Sequence, residues 1–117
     1  MSNGGFKDRE KGFEAKYQHD QETQFKITAR RNKLLGLWAA EKMGLSGPAA
    51  DAYAKEVVAA DFEEAGDSDV VRKVLGDLSG KGVEVTEHSV RREMEKLGAT
   101  ARNQVIAEAK PDSPRSF

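Results

Sequence analysis

The chain contains no cysteine, so neither a disulfide nor a thiolate metal site can hold it together, and this absence fits the cytosol. Proline is scarce, three in 117 residues, and none interrupts residues 6–33. Aromatic residues make up only 7% of the chain, with a single tryptophan. The longest apolar stretch, near Leu34–Ala40, is far too short to span a bilayer, which argues against direct membrane insertion. The N-terminus has no basic segment followed by an apolar run, so no secretory signal is expected. It is also too acidic for an organelle transit peptide.

The chain is 38% hydrophobic and 33% charged, which implies a lean core under a highly charged surface. A compact part of about 80–90 residues would fold alone with little stability to spare. The net charge of −1 is unevenly placed: +3 over residues 1–43, −5 over residues 44–85 and +1 over residues 86–117. Acidic and basic residues alternate, and no aromatic residues interleave with a basic stripe, so a nucleic-acid partner is excluded.

Residues 6–33, FKDREKGFEAKYQHDQETQFKITARRNK, are the most informative stretch. Phe6, Phe13 and Tyr17 would fall on one side of a helix, as a thin aromatic stripe among charges. Such a stripe gains little from burial within its own domain and is better suited to another protein's groove. Residues 1–19 are therefore expected to be disordered or nascent-helical in isolation and to order on a partner. Gly12 and the weak Asp8–Lys11 and Lys11–Glu14 pairs give that segment little stability of its own.

The first firm helix is expected from about Asp20, as N-cap, to Met43, supported by a Glu22→Lys26 pair and closed at Gly44. Phe25, Ala29, Leu34, Leu35 and Trp38 form its expected buried face. A second helix should run over about Pro48–Glu64, burying Ala50, Tyr53, Ala54, Val57 and Val58. Gly66 ends it, and Asp67 should cap a third helix over about Ser68–Ser79, burying Val71, Val74, Leu75 and Leu78. After a Gly80–Gly82 loop, Thr86 should cap the last helix, about Glu87–Ala109. Its residues Val90, Met94, Leu97, Ala101 and Val105 form the cleanest amphipathic pattern in the chain. Val83-Glu84-Val85 is a strand-like fragment without a strand to pair with. The expected fold is all-α: a four-helix bundle over residues 20–109, a mobile N-terminal segment at 1–19 and a flexible tail at 110–117.

Catalytic constellations are missing, and an enzyme is not expected. His88 lies in the first turn of the last helix and reads as a surface residue, whereas His19 could be a pH-sensitive partner contact. No Glu-x-x-His pair exists for a di-iron site. An acidic run from Asp61 superficially suggests a calcium loop, but its twelfth position is Arg72 where a carboxylate is required, so no metal is expected. The run Gly76–Gly82 falls one residue short of a phosphate loop and has no Ser or Thr after Lys81. Within Arg30-Arg31-Asn32-Lys33, Arg30 and Lys33 can share a helix side and form a candidate nucleotide-binding pair for weak ATP or ADP binding. The plainer reading is snorkelling over the apolar face with salt bridges to residues 61–69.

Three sets of residues carry a family resemblance. The first is Phe6, Asp8, Arg9 and Glu10, followed by Glu14, Lys16, Tyr17, His19, Asp20, Glu22, Phe25 and Lys26. The second is Ala29 to Gly36 with Trp38, Ala39 and Ala40. The third comprises Tyr53-Ala54, the run Asp61–Val70 and Ala99–Gln104. Together, over about residues 6–109, they closely resemble the zeta subunit of alphaproteobacterial F-type ATP synthases. The resemblance implies a four-helix bundle that inhibits ATP hydrolysis. Its N-terminal part would become helical on binding and wedge into a catalytic α/β interface near the γ stalk. The implied location is cytoplasmic, peripheral to the inner membrane through the synthase. On this reading Phe6, Phe13 and Tyr17 anchor in apolar clefts, while Asp8, Arg9, Glu10, Glu14, Lys16 and His19 meet polar and charged groups of the partner. The competing expectation is a small helical nucleotide-binding or stress-related regulator using Arg30 and Lys33.

Overall fold

The computed structural model describes the backbone of residues 2–63 and 66–108, and the side chains of residues 21–61 and 66–108. Four helices account for it: α1 Ser2–Lys42, α2 Gly47–Glu63, α3 Asp67–Gly80 and α4 Glu87–Glu108. No strand occurs among the described residues, and Val83–Val85 is extended without pairing. The all-α four-helix expectation therefore holds. The backbone of residues 2–19 belongs to α1, while the side chains of residues 1–19 and the tail at 110–117 lie outside the described residues.

α1 packs mainly against α2 and α4, and α3 closes the remaining side against α2 and α4. Gly36 is where α1 and α2 come closest: a Cβ there would stand 2.7 Å from the Ala54 Cα. Only glycine lets the two backbones approach that far. The main core joins Leu35, Ala39 and Ala40 of α1 to Tyr53 and Val57 of α2, Val70, Val74 and Leu78 of α3, and Val90 and Met94 of α4. A smaller cluster of Ile27, Ala101 and Val105, with Leu34 against it, continues along the α1–α4 seam.

Two chain reversals close one end of the bundle in the same way. After α1, Gly44 takes a φ of 83°, its N–H bonds the Glu41 carbonyl at 3.1 Å, and the Leu45 N–H bonds the Ala40 carbonyl at 2.8 Å. After α3, Gly82 takes a φ of 79°, its N–H bonds the Ser79 carbonyl, and the Val83 N–H bonds the Leu78 carbonyl, both at 2.9 Å. Both are Schellman motifs, and in each the apolar residue after the glycine, Leu45 or Val83, packs on the core. Val85 does so too, so the Gly80–Val85 connection is anchored rather than slack. Thr86 caps α4 as expected: its Oγ1 accepts from the Ser89 N–H at 3.0 Å, and Ser89 Oγ accepts from the Thr86 N–H at 3.3 Å.

Several expectations need correction. Asp20 is not an N-cap but lies inside α1, whose helical backbone begins at Ser2 because nothing in the sequence breaks it there. Asp67 is the first helical residue of α3 and Gly66 occupies the cap position, with no side-chain cap bond. Glu22 and Lys26 form no ion pair among the described residues. Phe25 is not core: it is 58% exposed. The reason is helix length. Gly36 lies opposite Ala54, and Arg30 bonds Gln104 and Glu108, so both neighbours run antiparallel to α1. On that register the last described residues of α2 and α4, Glu63 and Glu108, lie about level with Ile27. Phe25 therefore lies beyond the last described turns of both helices. Trp38, Ala29, Leu34, Val58, Leu75 and Leu97 are half-buried. Ile27, Asn32 and Val70, which were not on the expected faces, are buried.

Candidate functional site

The side chains expected to contact a partner, Phe6, Asp8, Arg9, Glu10, Phe13, Glu14, Lys16, Tyr17 and His19, all lie outside the described residues. Their backbone belongs to α1 and continues into the bundle without a break.

The other candidate pair, Arg30 and Lys33, lines one groove of 440 Å³ between α1, the end of α2 and the end of α4. Ala29, Val58 and Val105 supply its apolar walls, with Phe25 and Lys26 on its α1 side. Arg30 is already engaged. Its Nη1 and Nη2 donate to the two carboxylate oxygens of Glu108 at 3.0 and 2.9 Å, and Nη1 also donates to Gln104 Oε1 at 2.7 Å. The hydrogen bond to Glu108 raises the Arg30 pKa, and the same bond holds the Glu108 carboxyl below the usual carboxylate range. Lys26 adds a smaller downward pull on Glu108. Lys33 is exposed and forms no ion pair among the described residues.

The plainer reading of this cationic run expected salt bridges to residues 61–69. It is Arg31, not Arg30, that makes one: its Nη2 donates to Asp67 Oδ1 at 2.9 Å. The two arginines are neighbours on a helix, about 100° apart. Arg30 therefore meets the end of α4 at Gln104 and Glu108, while the Arg31 stem passes Gly98 of α4 and its guanidinium reaches Asp67 at the start of α3. Between them lies a feature the sequence reading missed. Asn32 is buried, with 1% exposure. Its Oδ1 accepts from Arg31 Nε and Nη2 at 3.1 and 2.9 Å, and its Nδ2 donates to Asp61 Oδ2 at 3.3 Å. A buried amide is tolerable because both of its ends are bonded. The sequence signal was its position, three residues before Leu35 and thus on the same side of α1.

A second polar cluster joins α2 to α3. Tyr53 Oη donates to Asp77 Oδ2 at 2.7 Å, while Lys73 Nζ bonds Asp77 at 3.0 Å and Glu56 at 3.2 Å and lies 5.3 Å from the Tyr53 ring centre. Burial first, and then the Asp77 bond, push the Tyr53 phenol pKa well upward, so it stays a donor. His88 is exposed on α4. Among the described residues no group of three or more His, Asp or Glu could hold a metal ion. No described helix is long and apolar enough to cross a membrane.

Comparison with known proteins adds two findings. A family model described as ATPase inhibitor subunit zeta matches residues 1–104. A protein solved by solution NMR is 60% identical, over 73% of this chain and 96% of its own, with a TM-score of 0.64. No curated protein matches.

Proposed function

The chain belongs to the ATPase inhibitor subunit zeta family, and from that membership we propose that it arrests the F-type ATP synthase by inserting the N-terminal part of α1 into a catalytic α/β interface of the head. The family is regulatory rather than catalytic, and an inhibitor subunit acts on the synthase. The wedge, its direction dependence and its contacts with the α, β and γ subunits belong to the proposal. So does its location, in the cytoplasm and peripheral to the inner membrane through the synthase.

The observation that carries the reading is the combination of a family match reaching residue 1 with an α1 that starts at Ser2, well before the level of the last described turns of α2 and α4. That length exceeds what the described core, which begins at Ile27, requires. Phe6, Phe13 and Tyr17 would anchor in apolar clefts. Asp8, Arg9, Glu10, Glu14, Lys16 and His19 would meet charged and polar groups of the head. The bundle, too broad to follow, would set the depth of entry. Rotation in the hydrolytic direction would trap this wedge, and rotation in the synthetic direction would release it. Stabilising one rotational state is enough to stop turnover.

The test is ATP hydrolysis by the purified cognate head, with the full chain and with residues 1–19 removed. Among the described side chains, every buried residue of both apolar clusters lies at Ile27 or beyond, so the truncated protein is expected to keep its helical circular dichroism and lose inhibition. Inhibition that survives the truncation would sink the N-terminal mechanism.

A second reading, weak ATP or ADP binding, has one observation in its favour: Arg30 and Lys33 line the same groove. A phosphate there would have to displace the Glu108 carboxylate from the Arg30 fork. Titrating ATP and ADP while following backbone amide shifts of residues 26–33 tests it.

A further inference from the structure

We propose that the groove beside Phe25 is a second docking surface for the same ATPase head, receiving an acidic segment that carries an apolar side chain. This rests on the inhibitor reading above and extends it from the N-terminal segment to the body of the bundle.

Three observations converge there. The first is continuity. The groove starts at Glu22 and Thr23, immediately after the segment proposed to enter the head, on the same unbroken helix. A rigid helix advances about 1.5 Å per residue, so a protein gripping residues 6–19 must come within about 20 Å of Lys33. The second is charge. Lys26 and Lys33 are both exposed, and neither forms an ion pair with another described residue. Arg30 is met by Glu108, on which Lys26 also acts, and with Glu22 the lining sets three cations against two carboxylates, leaving a net charge of +1. Seven residues apart, the two lysines occupy one side of α1 about 10 Å from each other, a spacing that two carboxylates on one helix can match. The third is the apolar surface. Phe25 is 58% exposed beside the last described turns of α2 and α4, and Ala29, Val58 and Val105 continue apolar surface into the groove. An exposed aromatic beside a half-polar cleft is the composition of a contact centre with a charged rim.

A carboxylate-bearing segment fits better than a phosphate ligand. The cations that lack ion pairs are two separated lysines rather than a convergent cluster, and the arginine that could fork a phosphate is already bidentate on a carboxylate. The surface would act on residence time. The wedge alone would enter and leave, and the second contact would hold the bundle against the head after entry.

The experiment is inhibition of ATP hydrolysis by the cognate head, using the full chain, Phe25→Ser, the double variant Lys26→Glu/Lys33→Glu, and Lys55→Glu as a control on the exposed surface of α2. Thermal unfolding of each is recorded first and is expected to be unchanged. The double variant should raise the half-inhibitory concentration about tenfold and Phe25→Ser severalfold, with Lys55→Glu like the parent. Raising the salt should weaken the parent more than the double variant. If the parent inhibits and all variants match it, the groove proposal falls while the N-terminal mechanism stands. If the parent does not inhibit, the inhibitor reading itself falls and the groove proposal with it. Unchanged inhibition together with lost ADP-induced amide shifts in the double variant would overturn the proposal and assign the groove to nucleotide.

Discussion

The two ends of this bundle are built on different principles. At one end, both reversals are closed by Schellman motifs at Gly44 and Gly82, Leu45 and Val83 fold onto the core, and Leu35, Leu78 and Val90 are fully buried. At the other, the buried apolar residues among those described are Ile27, Ala101 and Val105, and polar ties join them: Arg30 to Glu108, and Arg31 with Asn32 to Asp61 and Asp67. Apolar burial contributes stability without needing a defined partner outside the core. Exposed ion pairs contribute little stability but leave charge where another protein can meet it. The closed end therefore holds the fold, and the open end is where α1 leaves it.

The largest expected effect tests the closed end. Leu78→Ala removes a fully buried side chain and should cost about 2–5 kcal/mol of unfolding free energy, whereas Ile27→Val at the open end should cost about 0.5–1.5 kcal/mol. Chemical denaturation of both variants measures the contrast, and equal losses would erase the distinction between the ends. Next comes Asn32→Ala, which strips the buried acceptor from Arg31 and the donor from Asp61. It should cost about 1–3 kcal/mol and raise amide exchange first around Asp61 and Asp67. Exchange that rises uniformly along the chain would make Asn32 part of the general core instead of an open-end tie.

The smallest effect is electrostatic. Arg30 depresses the Glu108 pKa in the folded protein, so the unfolded state binds the proton more readily. The pair's contribution is fully present above the ordinary carboxylate pKa of about 4.3 and is lost as pH falls through the lower, folded value. The Tm of the parent should exceed that of Glu108→Gln at neutral pH, and the gap should close below about pH 4. A gap that persists in acid would mean that Gln104 and packing, not charge, account for it.

Helix number and most of the core of α2, α3 and α4 were legible because apolar spacing, glycines at helix ends and Thr86 before Glu87 report local preferences that the tertiary structure did not overrule. All five expected positions on α4 are buried or half-buried, since that helix is covered along its length by α1 and α3. α1 was read less well. Its apolar residues are sparse, and Phe25 looks like a core residue until the ends of α2 and α4 are known. Asn32 was read only as a member of a cationic run; its spacing from Leu35 placed it on the buried side of α1, but its partners Arg31 and Asp61 came only with the structure. Arg30 and Lys33 line one groove, but the partner of Arg30, 78 residues away in sequence, was not visible.

What the sequence determined by itself is what depends on near neighbours: the absence of disulfides and bilayer spans, the places where helices stop, and the run of residues whose order resembles an inhibitor family. The tertiary structure decided which side of α1 is covered and how far. Coverage depends on where two other helices end, and that is a property of their lengths and packing rather than of any residue in α1.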